Sequence, residues 1–180
     1  LLAVQYAARN LGEGRFGSVS LRDYRLELIN LKTILFAVMI FLLSLHWGVE
    51  STVYSPFLRE FLHLERYQIA VFMSVPLLML ALASYFMSLR RYDPRANRRV
   101  FLLAMFLSGT GHILMVNRSV TLAFVFRILH EAGDGIMGVL IILYVSRLFK
   151  LRSIGGSSGM LMMIMVLGHM VGALIFSSIG

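Results

Sequence analysis

The chain has 180 residues, 58% of them hydrophobic, and a mean hydropathy of +0.80, a composition typical of membrane proteins rather than of soluble domains. It contains no cysteine, which excludes a disulfide framework and a thiolate metal site. The net charge is +8, but most basic residues lie in short segments between apolar runs. That distribution favours loops flanking membrane helices over a nucleic-acid partner.

Residues 1–31 form a charged lead-in ahead of the first apolar run. Gly12, Gly14 and Gly17 interrupt two short helical patterns, and no sustained apolar core marks a signal peptide. The simplest interpretation is a cytoplasmic amphipathic segment. The chain opens on Leu1, and its last apolar run reaches Gly180 without a polar tail. We therefore expect it to be part of a longer protein.

Five apolar runs follow the lead-in, each long enough for a helix to cross about 30 Å of hydrocarbon. Short loops join them, which predicts an all-α, polytopic helical membrane bundle over residues 32–180. The runs are Lys32 to about Phe57, Tyr67 to Leu89, Val100 to Asn117, Ser119 to Ser146, and Ile154 to Gly180.

Basic residues alternate between the loops and predict an orientation. The loop 89–99 is strongly basic, and the loop 147–153 has three basic residues and no acid. The positive-inside rule then places both loops and the N-terminus in the cytoplasm, with the protein in a plasma or inner membrane. The basic residues of the first of these loops are Arg90, Arg91, Arg95, Arg98 and Arg99.

The fourth apolar run carries a stripe of ionisable residues. Arg127, His130, Glu131 and Asp134 are spaced three and four apart, so they share one face of a helix. Ionisable groups at membrane depth are costly and usually face a bundle interior or a water-filled path. The pair Arg127–Glu131 predicts a switch coupled to protons or substrate, or alternatively a structural ion pair.

Two further candidates lie in the first run. His46 and Glu50 are four residues apart, with Trp47 and Tyr54 nearby. Glu50 is suited to binding a cationic substrate or a proton. The alternative is an interfacial anchor, because Trp and Tyr favour the headgroup zone and Glu50 can reach water there.

The motifs and their order resemble the amino-terminal half of a major facilitator superfamily transporter, covering its first five helices. The likeness rests on the basic segment ending Asn97-Arg98-Arg99-Val100, Arg127 followed by Gly133 and Gly135, Val145-Ser146-Arg147-Leu148-Phe149 after the fourth helix, and Gly168-His169-Met170-Val171-Gly172 in the fifth. The resemblance implies that the first and fourth helices line a central cavity. Gly168 and Gly172 are expected to allow close helix packing. The lead-in faintly resembles a HAMP linker at 7–14 and 23–28, which would imply a sensor upstream.

These features predict a secondary transporter that moves a small solute by alternating access, with protons as one candidate coupling ion. The expected partners are the solute, the lipid bilayer and a missing C-terminal half, with no cofactor, no nucleic acid and no enzymatic activity. The second hypothesis is a membrane sensor that signals through the lead-in.

The third hypothesis is an intramembrane metalloenzyme. His130-Glu131-x-x-Asp134 is similar to the His-Glu-x-x-His zinc motif, but that motif needs a third ligand. The sequence does not single one out among His46, His63, His112 and His169. The expectation is therefore that the chain has no resident metal.

Overall fold

The computed structural model describes residues 20–90 and 93–177, and these residues are all-α as the hydropathy pattern predicts. The described part of the chain forms six helices joined by short connections. They are α1 (Leu21–Leu28), α2 (Leu31–Glu60), α3 (Arg66–Ser88), α4 (Pro94–Leu114), α5 (Val120–Leu148) and α6 (Ile154–Ser177).

Four of these helices, α2, α3, α5 and α6, are long and apolar enough to cross a membrane. Their outward faces are apolar, as Leu42, Leu78, Ile142 and Leu174 show by being at least half exposed. Arg127, Glu131 and Asp134, by contrast, are buried. A helical bundle in lipid is expected to place apolar residues on its outer surface and charged residues in its interior, as this one does.

The start of α4 differs from the sequence-based expectation. The helix begins at Pro94, six residues before the predicted Val100, and ends at Leu114. The Asp93 side chain accepts hydrogen bonds from the backbone N–H groups of Arg95 and Ala96, and proline suits the first helical position. Arg95, Arg98 and Arg99 therefore belong to a helix rather than to a loop. Only Val100–Leu114 is apolar, about 22 Å of helix, which is shorter than the about 30 Å of hydrocarbon that a spanning helix crosses.

The bundle consists of a helix pair and a three-helix layer. Helix α2 packs along α6, while α5 lies between α3 and α4. Gly168 and Gly172 of α6 lie against α2, where an added Cβ would collide with the backbone carbonyls of Phe41 and Leu45. Since only glycine leaves room at these points, it sets the distance between α2 and α6.

Apolar clusters close the bundle at its two ends. At the end where α2 finishes, the buried cluster contains Tyr54, Leu58, Leu64, Phe72, Met115 and Ala123, which we call the apolar cap. At the other end Phe36 and Ile40 of α2 pack with Phe149 and Leu161 around the start of α6. The polar residues of α2 and α5 lie between these two clusters.

Helix α1 is attached to the bundle at the start of α6. The Glu27 carboxylate accepts hydrogen bonds from the hydroxyls of Ser153 (2.6 Å) and Ser157 (3.2 Å). Arg152 pairs with Asp23 at 2.8 Å. The hydrogen bonds that Ser20 donates to Asp23 hold the pKa of this carboxyl below its usual range, which keeps it charged for the pair. Residues 7–14 of the HAMP-like pattern lie outside the described part of the chain.

Candidate functional site

The structure brings the six residues that the sequence singled out into one buried cluster. Helix α5 contributes four of them and α2 contributes two, while α4 adds Ser108 and His112 from the opposite side. The six are Arg127, His130, Glu131 and Asp134 on α5, with His46 and Glu50 on α2. We call these eight side chains, including Ser108 and His112, the polar cluster.

Small residues of α5 let its neighbours approach the polar stripe. A Cβ on Gly133 would collide with the backbone of α4 at Ala104 and Ser108. A Cβ on Gly135 would collide with the carbonyl of Leu80 on α3. The two glycines thus bring α3 and α4 close to α5, which places Ser108 against His130 and Asp134.

Arg127 joins two carboxylates from different helices. One guanidinium nitrogen pairs with Glu50 of α2, and the other pairs with Glu131 at 2.6 Å. The guanidinium carbon also lies 5.0 Å from the centre of the Tyr54 ring, within cation–π range. Arg127 is 2% exposed, so these carboxylates rather than water balance its charge.

His130 connects the same glutamate to α4. Its Nδ1 lies 2.9 Å from the backbone carbonyl of Ser108, and its Nε2 lies 2.9 Å from Oε2 of Glu50. A carbonyl oxygen can only accept, so Nδ1 carries a hydrogen and donates it to Ser108. Glu50 therefore contacts both Arg127 and His130, and it ties α2 to α5.

Asp134 forms the second link between helices. Its oxygens accept hydrogen bonds from the hydroxyl of Ser108 and the indole N–H of Trp47, each at 2.5 Å, and Nε2 of His46 lies 3.6 Å away. The Trp47 indole and the buried Tyr54 ring are thus part of the cluster's surroundings. This placement disfavours the interfacial-anchor interpretation of these two aromatic residues.

Sequence reasoning missed the contribution of α4. Ser108 went unnoticed, and His112 was considered only as one of four possible metal ligands. The available signal was their spacing: Ser108 and His112 are four residues apart in the mainly apolar second half of α4, so they share a face. The structure turns that face toward α5.

A groove between α2 and α4 leads to the polar cluster. A cavity of about 560 Å³ reaches His46, Ser108 and His112. A second cavity, of about 520 Å³, reaches Lys32 and Arg98 at the opposite end. Both are lined by Leu35, Met39 and Phe101, so they adjoin and form one groove.

The groove has an end lined by basic residues and an end closed by the apolar cap. Lys32 and Arg98 line the first end, while Tyr54 and Leu58 lie beyond the polar cluster at the second. Leu58 is fully buried there and Tyr54 is 3% exposed. A solute in the groove could reach the cluster from the Lys32 end, whereas the cap blocks the other end.

The remaining predicted residues lie elsewhere. Arg90, Arg95 and Arg99 are exposed near the start of α4, and Arg91 lies outside the described residues. Gly168 and Gly172 are buried between α2 and α6. His63 is exposed with a φ of 53°, and exposed His169 lies 3.4 Å from the Ser51 hydroxyl. Neither histidine reaches the cluster, which leaves His46 and His112 as the partners of His130.

The sequence matches no protein-family profile, no curated protein and no solved structure at a significant level. Function must therefore be argued from the site. The site combines buried charges from two helices, a third helix that fixes their orientation, and a groove that reaches them from the Lys32 end. Such an arrangement can bind a charged solute and can change its pairing when α2 and α5 move.

Proposed function

We propose that the full-length protein is a secondary active transporter of the major facilitator type, and that this chain supplies its first five helices. The observation that carries the proposal is the polar cluster, buried between α2 and α5, with a groove to one end and the apolar cap at the other. Secondary transporters hold their substrate near the middle of the membrane and expose it to each side in turn. A groove closed at one end is what one state of such a cycle requires.

The positions of the helices in the bundle agree with this proposal. Helices α2 and α5 are the first and fourth of the apolar runs, and in the family that the sequence resembles these two line the cavity. They carry all the ionisable groups of the cluster except His112. Their mutual contacts here are made by side chains such as Glu50 with Arg127. Polar side-chain contacts can exchange partners during a movement more readily than a closely packed helix interface can.

The proposed orientation places the Lys32 and Arg98 end in the cytoplasm. Basic residues gather at this end of the groove, and the positive-inside rule assigns such segments to the cytoplasmic face. The described conformation is then open to the cytoplasm and closed toward the outside. In this proposal α4 also crosses the membrane, with the arginines of its first turns reaching the headgroups.

The experiment that tests alternating access compares cysteine labelling at the two ends of the groove. Met39→Cys lies in the groove, and Phe57→Cys lies against the apolar cap. The full-length protein is placed in vesicles of either orientation, and an impermeant maleimide is applied with proton gradients of both directions and with a panel of small solutes. We expect conditions that protect position 39 to expose position 57. Identical labelling under every condition would reject the transporter.

A sensor remains the second candidate because α1 is attached to α6 through Asp23–Arg152 and Glu27–Ser153. Such contacts can pass a displacement of the bundle to a segment that precedes it. A sensor needs no exchange of access between the two sides of the membrane. The labelling experiment therefore separates the two functions: solute-dependent protection at position 39, without exposure at position 57, would favour the sensor.

A further inference from the structure

The polar cluster contains three imidazole rings that converge on a single point. The ring centres of His46, His112 and His130 are 5.1 to 5.5 Å apart in every pairing. Each ring offers one nitrogen, and these three nitrogens all lie within 4.8 Å of one another. Three histidines from three different helices thus meet at the end of the groove.

Two of the three rings present a nitrogen whose nearest carboxylate lies beyond hydrogen-bond distance: Asp134 is 3.6 Å from His46 Nε2, and Glu50 is 3.7 Å from His112 Nδ1. His46 Nε2 and His112 Nδ1 are buried atoms, and neither has a hydrogen-bond partner among the described residues. Leaving a buried polar atom unsatisfied costs about 1–3 kcal/mol. A ligand that accepts the lone pairs of these two nitrogens would remove that cost, and the groove gives it a path to them.

The third ring is oriented in the way that metal-binding histidines usually are. Since His130 donates its Nδ1 hydrogen to the carbonyl of Ser108, its Nε2 is the nitrogen that faces Glu50 and the other two rings. Metal-ligating histidines commonly donate their second ring N–H to a carbonyl or a carboxylate in this manner. Nε2 lies 2.9 Å from Oε2 of Glu50, a distance that a hydrogen on Nε2 bridges when no metal is bound, and a metal cation would take the place of that hydrogen.

The charge of the cluster points to the same ligand. The cluster contains one guanidinium, that of Arg127, and three carboxylates, those of Glu50, Glu131 and Asp134. The cluster thus has a net charge of −2 when its imidazoles are neutral. A divalent cation would balance that charge, and buried charges require such compensation.

We infer that His46, His112, His130 and Glu50 form a binding site for a divalent transition-metal cation of the zinc class. Imidazole nitrogens select zinc, cobalt, nickel or copper, whereas calcium and magnesium prefer oxygen ligands. Four ligands about 2.1 Å from a tetrahedral ion lie about 3.4 Å apart. The three nitrogens lie within 4.8 Å of one another, and Oε2 of Glu50 lies 2.9 Å from His130 and 3.7 Å from His112, so metal binding requires the side chains to adjust. Arg127 positions the Glu50 carboxylate, and Ser108 positions the His130 ring.

The inference deepens the proposed function, on which it rests for the role of the ion. In a transporter with this site, the metal cation is the cargo. It enters along the groove that His46 and His112 line and binds where α2, α4 and α5 meet. The binding site itself follows from geometry and charge, and it can be tested without any transport measurement.

Cobalt is the probe for the binding test. Full-length protein, purified through a tag without histidine, is titrated with Co²⁺, and the visible absorption of four-coordinate cobalt is recorded before and after adding Zn²⁺. We expect one Co²⁺ per chain, displaced by Zn²⁺. His46→Gln and His112→Gln should each weaken binding more than about 100-fold, because even loss of an outer hydrogen-bond partner costs 10- to 100-fold.

Two variants keep the test informative. His63→Asn is the matched control, because His63 lies outside the cluster and asparagine tolerates its positive φ. Its Co²⁺ binding should equal that of the unaltered protein. Glu50→Gln tests the carboxylate ligand, and melting temperatures in the absence of metal identify any variant that fails to fold. Absence of four-coordinate cobalt in the unaltered protein, or equal binding by His112→Gln and the unaltered protein, overturns the site.

Flux of ⁶⁵Zn²⁺ into proteoliposomes separates the site from the proposed function. Cobalt binding together with zinc uptake that is lost in His112→Gln supports both. Cobalt binding without zinc uptake, together with labelling at positions 39 and 57 that does not alternate, retains the site and rejects the transporter. Alternating access without cobalt binding retains the transporter and rejects the metal.

Discussion

At the scale of single residues, the cluster depends on Arg127. This side chain compensates Glu50 and Glu131 at once, and Glu50 in turn contacts His130. Arginine suits the position because its planar fork can hold two carboxylates, whereas lysine is a point charge. A lysine at position 127 therefore keeps the positive charge and removes the geometry that holds two carboxylates.

We expect Arg127→Lys to be expressed and folded but to lose at least about 90% of transport in the full-length protein. The lysine retains the positive charge, but it cannot reproduce both interactions. A charge-assisted hydrogen bond is worth about 1.5–3 kcal/mol, which is tenfold or more in affinity. The measurement is solute uptake normalised to protein in the membrane.

Arg127→Ala should abolish uptake and also lower the melting temperature, because removing one partner of a buried ion pair costs about 3–5 kcal/mol. Arg118→Ala is the control, since Arg118 is exposed in the turn before α5. Normal uptake by both Arg127 variants would show that the pair is structural only.

Glu131 contacts Arg127 but is not needed to hold His130. We expect Glu131→Gln to preserve exchange of solute across the membrane and to lose accumulation driven by a proton gradient, because the amide keeps the shape and cannot alter its charge. Exchange and accumulation are measured in the same proteoliposomes. A variant that still accumulates solute would move the coupling to Asp134 or Glu50.

At the scale of helices, the contact between α2 and α6 depends on glycine. The backbone of Leu45 occupies the space that a Cβ on Gly172 would need, whereas nothing lies within 4 Å of a Cβ on Gly159 of the same helix. The two positions allow one substitution to be compared in two environments.

Gly172→Ala is expected to lower the melting temperature, since it forces the two backbones apart at a cost of about 1–3 kcal/mol. Gly159→Ala should leave the melting temperature unchanged or raise it, because alanine is favoured over glycine by about 1 kcal/mol within a helix. Both variants are measured in detergent by thermal unfolding. Equal melting temperatures would mean that α2 and α6 are not held as described.

Helix α1 is held against the bundle through Glu27. Glu27→Ala removes the acceptor for Ser153 and Ser157, so amide hydrogen exchange in α1 should become faster while α5 remains protected. Arg22→Ala, on the exposed side of the same helix, should not change the exchange. Unchanged protection in Glu27→Ala would show that other contacts hold α1.

At the scale of the whole molecule, the proposed topology puts residue 95 in the cytoplasm and residue 60 outside. Both side chains are exposed in the structure and lie at the start of α4 and the end of α2. Single cysteines at these positions are treated with an impermeant maleimide in intact cells. We expect labelling at position 60 and none at position 95 until the membrane is permeabilised. The opposite pattern would invert the bundle and the direction in which the groove opens.

The sequence by itself determined that the chain is an all-α bundle of apolar helices, and it located the stripe on α5, but it predicted five helices of spanning length where the described residues contain four. Both follow from local patterns: an apolar run defines a helix, and spacing by three and four residues defines its face. The stripe's internal pairs, Arg127–Glu131 and His130–Asp134, are also local. The start of α4 was misjudged because its charged first turns lack an apolar pattern, although Asp93 and Pro94 mark the helix start.

Only the tertiary structure decided which residues from other helices complete the site. Glu50 and His46 were candidates without partners, and Ser108 had no signal beyond its spacing from His112. These side chains meet the α5 stripe only because particular faces of α2 and α4 are turned toward α5. For α4, close packing against Gly133 of α5 sets which face that is. Because the converging imidazoles come from three helices far apart in the chain, no local pattern could predict them.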